Sequence, residues 1–247
     1  MNEEVTQVEV TPEEEEAETQ PEATKMATKS EILQKIGADR DLSNADMSGM
    51  DLAGMKFTGL KMTKANLSNA DLSGGVFAGA DAEAVDFSNA NLSGASFMGV
   101  NLAKAIFSNV QMAAAKILGV NLEKADLSNA DLTDAKLVGT NLENAVVTNA
   151  NLTAAKVTGS NFKSADFTNA DLTATTMKRI DVTDADFTDV DTTGAKAGGV
   201  DWSKAKVPPE RLPEELPLMP PWLPAAIAAV VIILLIVVLR KKEHEEA

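Results

Sequence analysis

The sequence predicts an all-β solenoid with four sides, preceded by an acidic tail and followed by one C-terminal transmembrane α-helix. Three observations carry this reading. An apolar residue recurs at nearly every fifth position from Leu42 to Val207, a 20-residue period overlies that register, and Leu223 to Leu239 is an unbroken apolar run.

Composition narrows the function classes first. The 247 residues include 22 basic and 37 acidic side chains, a formal charge of −15, with no Cys, no Tyr and one His. Nucleic-acid binding needs an excess of Lys and Arg, so this balance argues against it. The lack of Cys excludes thiol chemistry, disulfides and Cys/His zinc sites. Acid is unevenly spread: residues 1–39 carry a net −8, residues 40–207 a net −5 and the remainder a net −2.

Residues 1–28, with Glu13 to Glu16 lying between Pro12 and Pro21, have few apolar side chains and no periodicity, and read as a disordered acidic tail. No basic and apolar run precedes Arg40, so no signal or transit peptide is expected. Thr28 and Glu31 have capping-box spacing ahead of Ile32, Leu33 and Ile36, and Gly37 is placed to end the helix. Residues 29–39 are therefore expected to form a short helical cap, helical over 29–36.

From Leu42 to Val207 the five-residue register gives 34 consecutive units, and all eight Phe residues fall on its centres. Two residues before each centre is a small residue, Ala at 19 of the 33 positions from 45 to 205, with a polar residue between. Small inside, polar outside and large inside is a β alternation. The other two positions of each unit are mostly Ser, Thr, Gly, Asn or Ala, which suit a turn. Gly59, Gly79, Gly99, Gly119, Gly139 and Gly159 recur at 20 residues, as do Asn69, Asn89, Asn109, Asn129, Asn149 and Asn169. Twenty divided by five gives four sides per coil.

Runs such as Ala65-Asn66-Leu67-Ser68-Asn69 and Ala130-Asp131-Leu132-Thr133-Asp134 resemble the A(D/N)LXX unit of pentapeptide-repeat proteins. That resemblance covers residues 40–207. It implies the family's right-handed, four-sided parallel β-helix, filled by the central Leu or Phe and the preceding small residue. It carries over no catalytic residue and no cofactor. Ala82, Thr192 and Ala197 are small for centres, so a looser coil is expected near residues 192–199. Strand spacing makes the whole a rod of roughly 41 Å, whose two ends expose the unpaired edges and offer surfaces for self-association.

After Val207, the prolines at 208, 209, 213, 217, 220, 221 and 224 read as an extended spacer over 208–222 that cannot continue the ladder. Residues 223–239 are at the lower length limit for a membrane span. Trp222 on one side and Arg240, Lys241 and Lys242 on the other supply interfacial anchors, followed by a charged tail over 240–247. The lipid bilayer is thus an expected partner. Basic residues after the span favour a cytoplasmic tail and an exported rod by the positive-inside rule, yet no signal peptide is expected to export it, so a tail anchor with a cytoplasmic rod is the first expectation and an exported rod the alternative. Leu212-Pro213-Glu214-Glu215-Leu216 departs from the LPXTG sorting signal at Thr and Gly.

No residues are placed for catalysis. His244 lies among glutamates in a solvated run, and Asp181, Asp184, Asp186, Asp189 and Asp191 spread over three sides of a four-sided coil, too dispersed for the six to eight oxygens of a calcium site. The outward slot before each centre is more informative. Lys56, Lys116, Lys136, Lys156 and Lys196 share one side, and Asp51, Asp71, Asp131, Asp171 and Asp191 share the side before it. Two readings stand: corner-to-corner charge balance, as between Asp131 and Lys136, or a stripe that docks a protein partner. The expected function is a membrane-anchored, non-enzymatic scaffold for protein interaction. The alternative, a DNA-mimicking topoisomerase regulator, suffers from magnitude: the coils carry one net charge per about 8 Å against one per 1.7 Å for duplex DNA.

Overall fold

The computed structural model describes residues 24–26 and 28–216. Bridges along the repeat, from Asp41↔Lys61 to Asp171↔Asp191, are parallel and join residues twenty apart. Each coil thus has four five-residue sides, and about 8 coils stack into a parallel β-solenoid.

The local cause is visible at every corner. One residue adopts a left-handed φ, as Asn69 does at 58° and Gly119 at 60°, a conformation that Gly, Asn and Asp enter most cheaply. On three sides the outward slot is mostly Asp or Asn, and its side chain accepts the backbone N–H two residues on. Asn66 Oδ1 takes Ser68 N at 3.0 Å and Asp126 Oδ1 takes Ser128 N at 2.9 Å. Such an Asx turn bends the chain just after the buried centre. Ile106 and Val146 occupy the same slot and keep the bend without this bond, so paired neighbours suffice at single positions.

The fourth side has no Asp or Asn in the slot, and there the chain stays extended for three residues. Its strands are β3 (Lys56–Thr58), β4 (Val76–Ala78), β5 (Ser96–Met98), β6 (Lys116–Leu118), β7 (Lys136–Val138), β8 (Lys156–Thr158), β9 (Thr176–Lys178) and β10 (Lys196–Gly198). With β11 (Glu214–Glu215) they form a nine-stranded parallel sheet among the described residues.

Large centres stack along the axis. Phe77 lies 4.8 Å from Phe57 and 4.6 Å from Phe97, ring over ring, while Phe87 meets Phe77 edge-on at 5.7 Å from the opposite side. Ala82, expected to underfill, is fully buried. It shares a coil with Phe87 and Phe97, whose bulk needs a small neighbour. Hydroxyls in the small-residue column are bonded: Thr175 Oγ1 donates to the Leu152 carbonyl at 2.9 Å.

Both ends depart from the sequence reading. The expected tail over 1–28 becomes ordered before its end: β1 (Thr24–Lys25) pairs with β2 (Ala45–Asp46), and Met26 N donates to the Asp46 carbonyl at 2.8 Å with its side chain buried. Helix α1 (Lys29–Ala38) is capped by Thr28, whose Oγ1 accepts Glu31 N at 3.2 Å. It runs past Gly37, because Asp39 N bonds the Lys35 carbonyl at 3.1 Å and the Asp39 carboxylate meets Lys35 Nζ at 3.3 Å. Ile32 is fully buried and Ile36 packs on the core, so α1 covers the end of the solenoid.

At the other end the register shifts. Val207 bridges Asp186, one residue beyond the twenty-residue repeat, and the N–H groups of Lys206 and Val207 both reach the Ala185 carbonyl, at 2.9 and 3.3 Å. This bulge puts Val207 in an outward slot, so it is not a core centre as expected. Trp202, in a 3-10 turn (Trp202–Lys204), packs edge-on against Phe187 at 5.3 Å. The start of the proline-rich spacer does continue the ladder. Glu214 N donates to the Ala195 carbonyl at 2.9 Å and Leu216 N to that of Ala197 at 2.7 Å, and Pro213 sits just before the strand, where no donor is needed. Thr192 Oγ1 donates to the Arg211 carbonyl. The small Ala197 leaves a cavity of about 100 Å³ bounded by Trp202, Leu212, Pro213 and Leu216. Residues 217–247, including the expected span over 223–239 with Trp222, Arg240, Lys241 and Lys242, lie outside the described residues, among which no helix is long and apolar enough to cross a membrane.

Candidate functional site

The sheet β3–β10 presents two outward columns, because a three-residue strand turns its middle side chain inward and both flanks outward. The first column holds the five predicted lysines, all exposed. Lys116, Lys136 and Lys156 are direct register partners on β6, β7 and β8. Lys56 is separated from them by Val76 and Ser96, and Lys196 by Thr176. Lys196 Nζ also lies 3.9 Å from Glu214 on β11. The structure therefore gathers three of the five into a contiguous ladder.

The second column, two residues further along each strand, was missed in the sequence. It runs Ala78, Met98, Leu118, Val138, with register partners at every step. Met98 is 42% exposed and the other three are half-buried. The signal was present: this slot is Ser or Thr in most units, and on this side four successive coils replace it by Ala78, Met98, Leu118 and Val138.

Charge balance across the corner is not what the acids do. Asp131 Oδ1 accepts Thr133 N at 3.0 Å and Thr133 Oγ1 at 2.6 Å, and Asp171 accepts Thr173 N at 2.8 Å. These carboxylates complete their own turns. Among the described residues Lys56, Lys116, Lys136 and Lys156 have no carboxylate within 4.0 Å. Two unit charges one strand spacing apart in water repel by just under about 1 kcal/mol, which coil packing easily tolerates but a partner's acids would relieve.

On a neighbouring side some of the surface charges are paired. Lys104 meets Glu83 at 2.6 Å, a contact that lowers the Glu83 pKa and raises that of Lys104. Lys163 lies 3.6 Å from Glu143. The same side carries an amide ladder, in which Asn121, Asn141 and Asn161 each donate Nδ2 to the Asn one coil below at 3.2, 3.0 and 2.9 Å. The acidic cluster is likewise committed to turns. Asp181 and Asp186 accept from Thr183 and Thr188, whose hydroxyls are the largest cause of their lowered pKa values, and Asp184 and Asp189 are left-handed corner residues. Among the described residues no group of three or more His, Asp or Glu is arranged to hold a metal ion.

The family described as pentapeptide repeats matches in eight copies, over residues 41–74, 65–103, 76–112, 105–144 and 148–184. No match to a curated protein sequence is found. Among solved structures, HetL, a pentapeptide repeat protein involved in heterocyst differentiation regulation from the cyanobacterium Nostoc sp. strain PCC 7120, is 20% identical with a TM-score of 0.40. The match covers 74% of this chain and 98% of HetL. QnrB1, a plasmid-mediated fluoroquinolone resistance protein, is 24% identical over 64% of this chain and 89% of its own, with a TM-score of 0.43. A pentapeptide repeat protein of the Arabidopsis thaliana thylakoid lumen is 28% identical over 50% of this chain and 68% of its own, with a TM-score of 0.17.

Proposed function

Since this chain belongs to the pentapeptide-repeat family, we propose that it is a membrane-anchored, non-enzymatic scaffold whose flat β3–β10 sheet docks an acidic protein partner. One observation carries the reading: three register-paired lysines, without acidic partners among the described residues, stand beside an apolar column on the one side of the coil that is extended. A flat surface offering both charge and apolar area suits a protein better than a small ligand. The amphipathic pairing also counts against mimicry of DNA, which would need acids there.

The anchor rests on the sequence of residues 223–239, flanked by Trp222 and by Arg240, Lys241 and Lys242. In this reading the rod is cytoplasmic and held near the bilayer by its C-terminal segment. The test changes Lys116, Lys136 and Lys156 to Glu in the full chain. The melt should stay close to the parent, while salt-sensitive capture of the partner from detergent-solubilised membranes is lost. Unchanged capture would move the binding surface to another side or to an end.

A further inference from the structure

We infer that in the resting protein the β3–β10 face is occupied by the chain's own acidic segment, residues 8–16, which an outside partner must displace. The inference rests on the docking-face reading and names the occupant of that face.

Charge complementarity is the first argument. Residues 1–23 contain nine glutamates and no Lys or Arg, and the face opposite them in sign bears the ammonium groups of Lys116, Lys136 and Lys156, which have no carboxylate partner among the described residues. Pattern is the second. Val8-Glu9-Val10-Thr11 alternates, so an extended peptide running along the rod would turn Val8 and Val10 to one edge and Glu9 to the other. The face has the matching pair of columns, with Met98, Leu118 and Val138 beside the lysines. Glu13 to Glu16 follow at once and extend the acidic edge.

Reach is the third. β1 fixes Thr24 one coil below Ala45, two sides of the coil away from the lysines. From there to Lys116 the climb is four coils, about 19 Å, plus the passage round to the opposite side. Glu13 precedes Thr24 by eleven residues, an extended reach of roughly 37 Å. A tether of this length holds the segment at an effective concentration in the millimolar range, so a weak charge-matched contact is filled within the chain before a free peptide could fill it.

The chain has no cysteine, which makes the contact directly measurable. Nitroxides on Thr11→Cys and Thr158→Cys of the full chain in detergent, read by pulsed electron resonance, report the tail against the face. A second pair, Thr11→Cys with Thr148→Cys, reports it against the opposite side of the same coil. The expected result is a short, narrow distance for the first pair alone. It should broaden until the two pairs agree at high salt, in the Lys116→Glu, Lys136→Glu, Lys156→Glu chain, and when Glu9 and Glu13 to Glu16 are all changed to Gln. The Gln chain alters only the tail, so it decides the matter even if the lysine variant misfolds.

Equal broad distributions for both pairs in the parent would overturn the inference, as would loss of the short distance on dilution with unlabelled chain, which would assign the tail to a second copy. Partner capture separates this result from the docking reading. Glutamine substitution in the tail should raise capture several-fold. If the tail contact is missing while the lysine variant still loses capture, only the inference falls; if the lysine variant keeps capture, the docking reading falls instead.

Discussion

Lys136 stands between Lys116 and Lys156 in the parallel ladder, and the acid across the corner, Asp131, binds its own Thr133 and not Lys136. The lysines are therefore mutually repelling charges that the fold tolerates without using. In the chain whose Glu9 and Glu13 to Glu16 are changed to Gln, Lys136→Gln should raise the melting temperature slightly at low salt, by the equivalent of less than about 1 kcal/mol, and the gain should vanish at high salt. A lower melt for Lys136→Gln at low salt would mean that the ammonium group holds a stabilising contact.

Neighbouring residues on a capped side should respond in opposite ways. Leu127 is buried and Asp126 accepts Ser128 N at 2.9 Å. Leu127→Asp places an unpaired carboxylate in the core and should cost more than about 4 kcal/mol. Asp126→Asn keeps the acceptor and should be nearly silent, whereas Asp126→Ala removes it and should cost about 1 kcal/mol. Thermal melts of the three variants check the inward register and the turn bond separately.

The interior was legible because the solenoid repeats one decision: whatever fills position 67 must also fit at 87 and 107, so Leu67, Phe87 and Phe107 announce a shared column. The ends were not, because each is made once. Val207 keeps the apolar phase of the sequence, yet the bulge against Ala185 turns it outward, and no residue type marks that bulge. Thr24–Lys25 belongs to a polar stretch whose order comes from the waiting edge at Ala45–Asp46. The lysine column was readable by spacing, but the pairing of the acids was not, because Asp131 serves a backbone N–H that is invisible in the sequence.

Acid sensitivity should trace to the turn carboxylates. The pKa values of Asp41, Asp46, Asp181, Asp186 and Asp191 are lowered, first by the neighbouring Ser or Thr hydroxyl. A folded value below the unfolded one means a contribution fully present above the ordinary Asp pKa of about 3.9 and lost as pH falls through the lowered value. The melting temperature should hold from neutrality to about pH 5 and decline below about pH 4. Replacing Asp181 and Asp186 by Asn should flatten that decline, since the amide oxygen accepts the same N–H without titrating. A decline just as steep in the double variant would place the acid-sensitive groups elsewhere.

The C-terminal end of the solenoid and the proposed membrane anchor should be separable. Leu216 N bonds the Ala197 carbonyl at 2.7 Å, β11 completes the sheet, and Pro209 and Pro213 are buried, so residues 208–216 belong to the end of the solenoid. The apolar run begins only at Leu223. A chain stopped after Leu216 should leave the membrane fraction yet melt like the full chain. Stopping after Val207 should also release it, but at the cost of exposing β10 as an unpaired edge and opening the cavity beside Trp202, so the melt should fall and concentration-dependent association should appear. Retention of the Leu216-terminated chain in the pellet after a salt wash would show that membrane attachment does not reside in the C-terminal segment.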